Sequence, residues 1–446
     1  MHLLDEPLTH FTEWGIAGTR EKDYLAPIQK RFYMKKWLLV LLILVVCGAA
    51  LQLVRPHIDH PPVTADISAP PAVEAVLKKD CYDCHSNETN LAWFDQVTPA
   101  NFLVAGHIRM GRAVLNFSNW DSLNKDQRLG KLYESLNQAT FGAMPLSDYT
   151  RFHPQARVSP EDLAILRDYL VSITPAIHPD TAKTRIADVQ YAKWISDTVS
   201  SDVKPSLNGL NYITGWKNWK AISTTDRFDN FTHRVIFGND VAIQAIRDGH
   251  TNPWPEGTVF AKAAWDQLAD TTGQIRAGAY KQVEFMIKKD GQWNFARWVK
   301  GLDLVPYGKT ALFTTECVNC HKPMLSNDQV FTIPNPTAIR EERVITSGVD
   351  KRQGLMYTLY GNQAALAAAK AGPGHPYPAG ASLSLVTWVE KEDPHWFGGN
   401  IPDKVQSVEK VTVGADGKPV YATTEGSAPA GDRLGFILGQ RASVMP

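Results

Sequence analysis

Two pentapeptides, Cys81-Tyr82-Asp83-Cys84-His85 and Cys317-Val318-Asn319-Cys320-His321, carry the residues best suited to chemistry. Each is a C-x-x-C-H run. Two thiols three positions apart can form thioethers with the vinyl groups on one edge of a porphyrin. The adjacent His then falls under the iron as its axial ligand. Four of the five cysteines sit in these runs, which leaves only Cys47. A chance match or a redox dithiol is the competing reading of one motif, and two C-x-x-C pairs can also build a four-thiolate zinc site. Zinc, however, gives no reason for His to follow the second Cys both times. The pattern predicts two covalently bound c-type haems, with His85 and His321 as iron ligands.

The sixth ligand of the first haem is predicted as Met144, in Gly142-Ala143-Met144-Pro145, with His107 and then His153 as alternatives. His/Met ligation raises the reduction potential and suits electron transfer. A core packing role for Met144 competes with ligation. At the second motif Met324 follows His321 too closely to reach the opposite face. The upstream strands offer Arg234, Lys262, Glu284 and Met286 instead. An iron without a strong protein ligand on one face binds small molecules, so this haem is expected to be the reactive centre. Lys262 lies mid-strand among apolar residues, and is either surface-facing through the pleat or beside the cofactor. Arg234 would donate a hydrogen bond to a ligand on iron, and Glu284 would accept a proton. Each also reads as an ordinary solvated strand residue.

The rest of the 446 residues must position these groups. Lys plus Arg equals Asp plus Glu at 46, so nothing points to nucleic acid. A hydrophobic share of 44% with 13 Trp indicates folded cores. Residues 37–54 are eighteen in a row without a charge, near the minimum for a membrane-crossing helix. Lys30, Arg31, Lys35 and Lys36 precede them and only Arg55 follows closely, which keeps the N-terminus cytoplasmic. The expectation is a single-pass anchor over 34–55 in a bacterial inner membrane, with the haem domains in the periplasm. A signal peptide cleaved after Gly48-Ala49-Ala50 competes with it. A lipoprotein at Cys47 is disfavoured by the bulky Val46. Residues 1–33 read as a short cytoplasmic tail or as sequence upstream of a start at Met34.

A proline-rich linker (56–71) leads to an all-α haem module (72–175). Its helices begin near Val73 and at Ser159-Pro160-Glu161-Asp162, where Ser159 is the N-cap. A polar connector (176–204) precedes an α+β module with a mainly antiparallel sheet (205–337). Strands are expected at 232–237, 257–265, 280–288 and 293–299, and a helix at 239–248. A shift of 123 residues aligns Gly238-Asn239 with Gly361-Asn362, Ala242 with Ala365, Pro253 with Pro376, Gly257 with Gly380 and Trp265 with Trp388. Residues 338–446 therefore read as a second, haemless copy, with Leu385 where the first has Lys262. The two copies would form a pseudo-dimer within one chain; a β-hairpin insertion is the competing reading. Trp396-Phe397 would lie over the pocket or in an interface.

The first module resembles the bacterial haem-binding domain family. The resemblance rests on Cys81 to Thr89, His107 with Gly111-Arg112, Asn116-Phe117-Ser118-Asn119-Trp120, and Met144-Pro145-Leu146. It covers 73–175, with Trp93-Phe94 where the family usually has Trp-Tyr. The second module resembles the cytochrome P-460 family over 206–335. That match is carried by Arg234-Val235-Ile236, Gly238-Asn239-Asp240, Pro253 to Thr258, the second C-x-x-C-H, Asn327-Asp328 and Val330-Phe331-Thr332. The resemblance implies a c-type haem on an antiparallel sheet, usually in a homodimer. In hydroxylamine-oxidising members a Lys also bonds to the porphyrin edge, and by position that residue would be Lys262. Relatives without the bond resemble nitric-oxide-binding cytochromes. The expected function is a di-haem cytochrome. Its second haem would bind or oxidise hydroxylamine or nitric oxide, and its first would exchange electrons with a redox protein or a quinone-linked chain. Non-enzymatic gas sensing and pure electron transfer are the alternatives.

Overall fold

The computed structural model describes residues 26–196, 202–372 and 374–446. Most of segment 1–33 and part of the connector therefore lie outside the described residues. Helix α1 (Ala26–Leu51) holds the apolar run, but the run leaves the helix earlier than expected. The Gln52 side chain donates to the Thr98 carbonyl (3.1 Å) and accepts from the Thr98 amide (2.9 Å), which draws the chain away after Leu51. The apolar stretch from Trp37 to Leu51 thus rises about 22 Å, against roughly 30 Å of hydrocarbon. Among the described residues no helix is long and apolar enough to cross a membrane.

A helical region follows: α2 (Pro71–Asp80), α3 (Tyr82–His85), α4 (Ala100–Val114), α5 (Lys125–Thr140), α6 (Ser147–Thr150) and α7 (Pro160–Ile173). Helix α2 starts on Pro71 and buries Val73, Val76 and Leu77 along one face. At α7 the Ser159 hydroxyl accepts from the Asp162 amide, and the Asp162 carboxylate accepts from the Ser159 amide. Phe117, Tyr133 and Leu170 close the core between them. The polar connector itself contains a helix, α8 (Thr181–Ile195). Its buried face is only Ala187 and Tyr191, too sparse a stripe to read from sequence. Gln190 docks it by hydrogen bonds to both backbone groups of Tyr280.

The sheet region opens with β1 (Lys220–Arg227), β2 (Thr232–Gly238), α9 (Asp240–Asp248), β3 (Val259–Ala269), β4 (Gln274–Lys289), β5 (Gln292–Val299), β6 (Val305–Pro306) and α10 (Phe313–His321). It continues through β7 (Arg343–Asp350), β8 (Leu355–Gly361), α11 (Gln363–Ala371), β9 (Ser382–Glu392), β10 (Gly399–Val413), β11 (Pro419–Gly426) and α12 (Arg433–Leu438). The bounds of β1, β2, α9 and β3 recur 123 residues later in β7, β8, α11 and β9. Local chemistry recurs with them. Asn239 caps α9 through the Ala242 amide and donates to the Gly257 carbonyl, while Asn362 does the same with Ala365 and Gly380. Gly257 and Gly380 both sit at positive φ, which only glycine adopts without strain.

The two sets of strands are not separate sheets laid face to face. The order β3-β2-β1-β10-β9-β8-β7-β4 closes through β3–β4 pairing, so both sets share one antiparallel ring. Its two joints are β4–β7 and β10–β1, each only a few residue pairs long. Trp216, Phe237, Trp265, Phe285 and Trp298 from the first set pack in one core with Tyr360, Trp388 and Val408 from the second.

A buried polar seam ties the joints. His233 Nε2 lies 2.6 Å from Ser347 Oγ, Gln267 donates to Asp226 Oδ1 (2.5 Å), and Lys351 Nζ sits 2.7 Å from Asp226 Oδ2. Burial pushes the Asp226 carboxyl up, but His233 and Lys351 outweigh it and hold the group below its ordinary value of 3.8. A depressed carboxyl contributes stability above its ordinary value and loses it as the pH falls through the folded one. Asp226→Asn should therefore cost about 2 kcal/mol at pH 7. That difference from wild type should shrink below about pH 4, as measured by urea unfolding at the two pH values.

Candidate haem sites

At the first motif α2 and α3 meet at Cys81, and α3 carries Cys84 and His85. Helix α4 crosses at Gly111, where an added Cβ would lie 2.6 Å from the Cys84 carbonyl oxygen. Only glycine allows this approach. His85 Nδ1 lies 3.1 Å from the Leu115 carbonyl, which can only accept, so Nδ1 carries the proton and Nε2 keeps a free lone pair. Burial also pushes the His85 pKa down, favouring the neutral ring that a metal binds. Cys81 and Cys84 form no disulfide, and burial raises both thiols to about 12.

The three proposed sixth ligands separate here. His153 is fully engaged, with Nε2 2.9 Å from Asp95 and Nδ1 3.1 Å from the Tyr149 carbonyl, so it is removed from the candidates. His107 is buried, with Nε2 3.4 Å from Asp148 and no hydrogen-bond partner at Nδ1. Met144 is half-exposed in the turn between α5 and α6. On α4, Leu103, Met110 and Val114 are exposed and share a helical stripe with His107. An apolar face on the helix that abuts the thiols suits a porphyrin.

At the second motif α10 sits on the sheet, and Cys317 packs into the cluster formed by Ile236, Phe260, Trp293, Phe295 and Val330. His321 repeats the arrangement at His85: Nδ1 lies 2.7 Å from the Gln329 carbonyl, and burial pushes the ring down to about 4. Cys317 and Cys320 are unpaired and raised by burial to about 11.

Period-two alternation sends Val235, Ala263, Val283 and Trp298 into the shared core. Arg234, Lys262, Glu284 and Arg297 are thereby presented on the opposite face, where α10 lies. Lys262, Glu284 and Arg297 are direct cross-strand partners on β3, β4 and β5. The Lys262 ammonium lies 2.5 Å from Glu284, which corrects the picture of a Lys alone on an apolar strand. Arg297 Nε is 3.7 Å from the other carboxylate oxygen, and Gln282 donates to that oxygen as well. Burial pushes Glu284 up, yet Lys262, Arg297 and Arg234 overcome it and hold the carboxyl at about 2. Burial lowers Lys262, and it lowers Arg234 to about 10. Sequence reasoning missed Arg297 and Gln282. Its signal was the sequence of β5, where Arg297 is the one charged residue between Gln292 and Val299. Met286 joins the apolar cluster around Cys317.

Charges on α5 act on both motifs: Lys131 on His85, and Glu134, its ion-pair partner at 2.9 Å, on Cys320. The haem-binding domain family matches residues 44–172, and the cytochrome P460 family matches 213–332. The chain contains a haem-binding domain followed by a cytochrome P460 domain. No curated protein matches it. The P460 domain ends just past Phe331, so the strands from β7 onward lie beyond the match. Two haem-associated domains imply haem cofactors, and the donor sets fit them: paired free thiols next to an imidazole whose Nε2 is left for iron.

If α4 must touch the first thiol helix for that haem to be held, Gly111→Ala should selectively lose it. Pyridine haemochrome analysis should then fall from about two haems per chain to about one, with the P460-domain haem retained.

Proposed function

We propose that this haem protein is a di-haem c-type cytochrome. The P460-domain haem binds and oxidises a small nitrogen compound, hydroxylamine or nitric oxide, and the N-terminal haem relays electrons to a redox protein or a quinone-linked chain. The observation that carries the reading is the charged row of Arg234, Lys262, Glu284 and Arg297, which faces the second C-x-x-C-H helix.

Bound haem would supply an open coordination position and a one-electron couple. The chain's own groups then divide the remaining work. Arg234 and Arg297 are fixed positive charges that favour an oxygen carrying developing negative charge. Glu284, held at about 2, stays a carboxylate and accepts a hydrogen bond from the N–H or O–H of hydroxylamine. It orients the substrate and is too weak a base to be the proton acceptor first expected. Lys262 sits between Glu284 and the apolar cluster, and on the resemblance it is the residue that would be joined to the porphyrin edge.

Three further readings belong to the proposal. Residues 338–446 are a haemless P460-like copy. There Glu409 stands across from Leu385 as Glu284 stands across from Lys262, and the bidentate partner of Glu409 is Arg433 of α12. Ile437 of the same helix, with Leu434 and Phe436, packs among Leu383, Leu385 and Val411, apolar volume that would otherwise be open to a cofactor. The exposed apolar side chains from Trp37 to Val46 support insertion of α1 into a bacterial inner membrane, with the haem domains on the periplasmic side. The paired charges of α5, Lys131 acting on His85 and Glu134 on Cys320, support the relay.

With both haems loaded, hydroxylamine plus a dye acceptor should reduce the dye catalytically, and Glu284→Gln should slow kcat about tenfold or more. A nitric oxide adduct with no turnover would overturn the oxidative reading in favour of gas binding. Lys262→Leu should leave haem content intact, while peptide mapping should show that a third covalent link, present in wild type, has gone.

A further inference from the structure

The haem-binding face is not the only support for His321. Its hydrogen-bond acceptor, the Gln329 carbonyl, belongs to a strained turn: Asp328 and Gln329 both have positive φ, at 47° and 62°. Non-glycine residues hold such dihedrals only where the surroundings over-determine them. On the upstream side the P460 domain does this itself. Asp328 accepts from Lys288 (2.7 Å) and from the Trp254 amide (2.9 Å), and its carbonyl accepts from Trp293 Nε1 (2.7 Å).

On the downstream side the support comes from outside the domain, from the loop between β9 and β10. His395 Nδ1 donates to the Phe331 carbonyl at 2.6 Å. The Phe331 ring stands nearly perpendicular to the His321 imidazole, with centroids 5.0 Å apart. Trp396 packs on the other part of Phe331 at 5.7 Å. The loop is itself fixed. Trp396 Nε1 donates to Asp229 (3.0 Å), Arg227 covers the Trp396 ring, and the Gly398 carbonyl accepts from the Phe228 and Asp229 amides. Gly398, at φ +104°, passes so close to Asp229 and Tyr133 that a Cβ would lie within 2.9 Å of each. From the helical region, Asn137 grips both backbone groups of Phe397.

We propose that the β9–β10 loop, through His395 and Trp396, is a positioning element for the iron ligand His321. It holds the 328–331 turn so that the Gln329 carbonyl stays on Nδ1 and the Phe331 ring fixes the imidazole plane. This rests on the reading that His321 ligates haem. It adds that the ligand's donor strength is set from the second copy, which the P460 match does not reach. A firm bond at Nδ1 raises the electron donation of the imidazole and lowers the iron's reduction potential.

The test uses the full-length holoprotein and the variants His395→Leu and His395→Gln; the Gln amide can still donate to the Phe331 carbonyl. Resonance Raman spectroscopy of the ferrous protein reads the Fe–His stretch, and spectroelectrochemistry reads the two midpoint potentials separately. His395→Leu should lower the stretch and raise the potential of the second haem while the first stays unchanged, and His395→Gln should remain near wild type. An unchanged stretch and potential in His395→Leu with two haems bound would overturn the brace, as would equal shifts in both variants. A wild-type chain with no haem on Cys317 and Cys320 would overturn the haem reading itself, and the haem count taken first distinguishes that case.

Discussion

An imidazole can offer a metal its lone pair only if its other nitrogen keeps the proton, and at both thiol motifs a backbone carbonyl imposes that choice. Leu115 does so for His85 and Gln329 for His321. Each carbonyl is itself placed by packing from elsewhere. Leu115 follows directly on α4, whose approach depends on the missing Cβ of Gly111, and Gln329 lies in a turn whose dihedrals need support from both sides. Much of the architecture around the two sites is explained as the means of keeping these acceptors still. Burial of both rings acts in the same direction, since it disfavours the protonated imidazole that could not bind iron.

The second constraint is electrostatic. Four ionisable side chains share one half-buried face of the sheet, and cross-strand register sets the one carboxylate, Glu284, between two of the three cations. Glu284 between Lys262 and Arg297 is the hub of this row. It turns two cations that would repel each other into a fixed, oriented field. Such a field needs no reorganisation when a polar ligand arrives, which is the property that makes preorganised charge effective.

What could be read in the sequence was whatever depends on local spacing. The thiol motifs, the N-cap at Ser159 and the 123-residue offset are all short-range patterns, and the element bounds follow the offset closely. The α8 helix was hidden because two buried residues are too few to make a periodic signal. The end of α1 depends on Gln52 meeting Thr98, a contact between residues far apart in the chain. The ion pair at Lys262 required the β3–β4 register, and the closure of the ring required joints no local pattern encodes. Arg297 was visible as a charge in an apolar strand, yet only its partner across the ladder gave it meaning.

The shared ring has a consequence for how asymmetry arises. In a homodimer, any substitution that suits one protomer is imposed on the other, because a two-fold interface presents the same residues twice. Joined in one polypeptide, the two halves are released from that equality. One half carries the thiol helix, while in the other α12 packs on Leu383 and Leu385 and the β9–β10 loop reaches back to Phe331. Specialisation of this sort is open to a fused pair at fixed one-to-one stoichiometry, and closed to two identical chains.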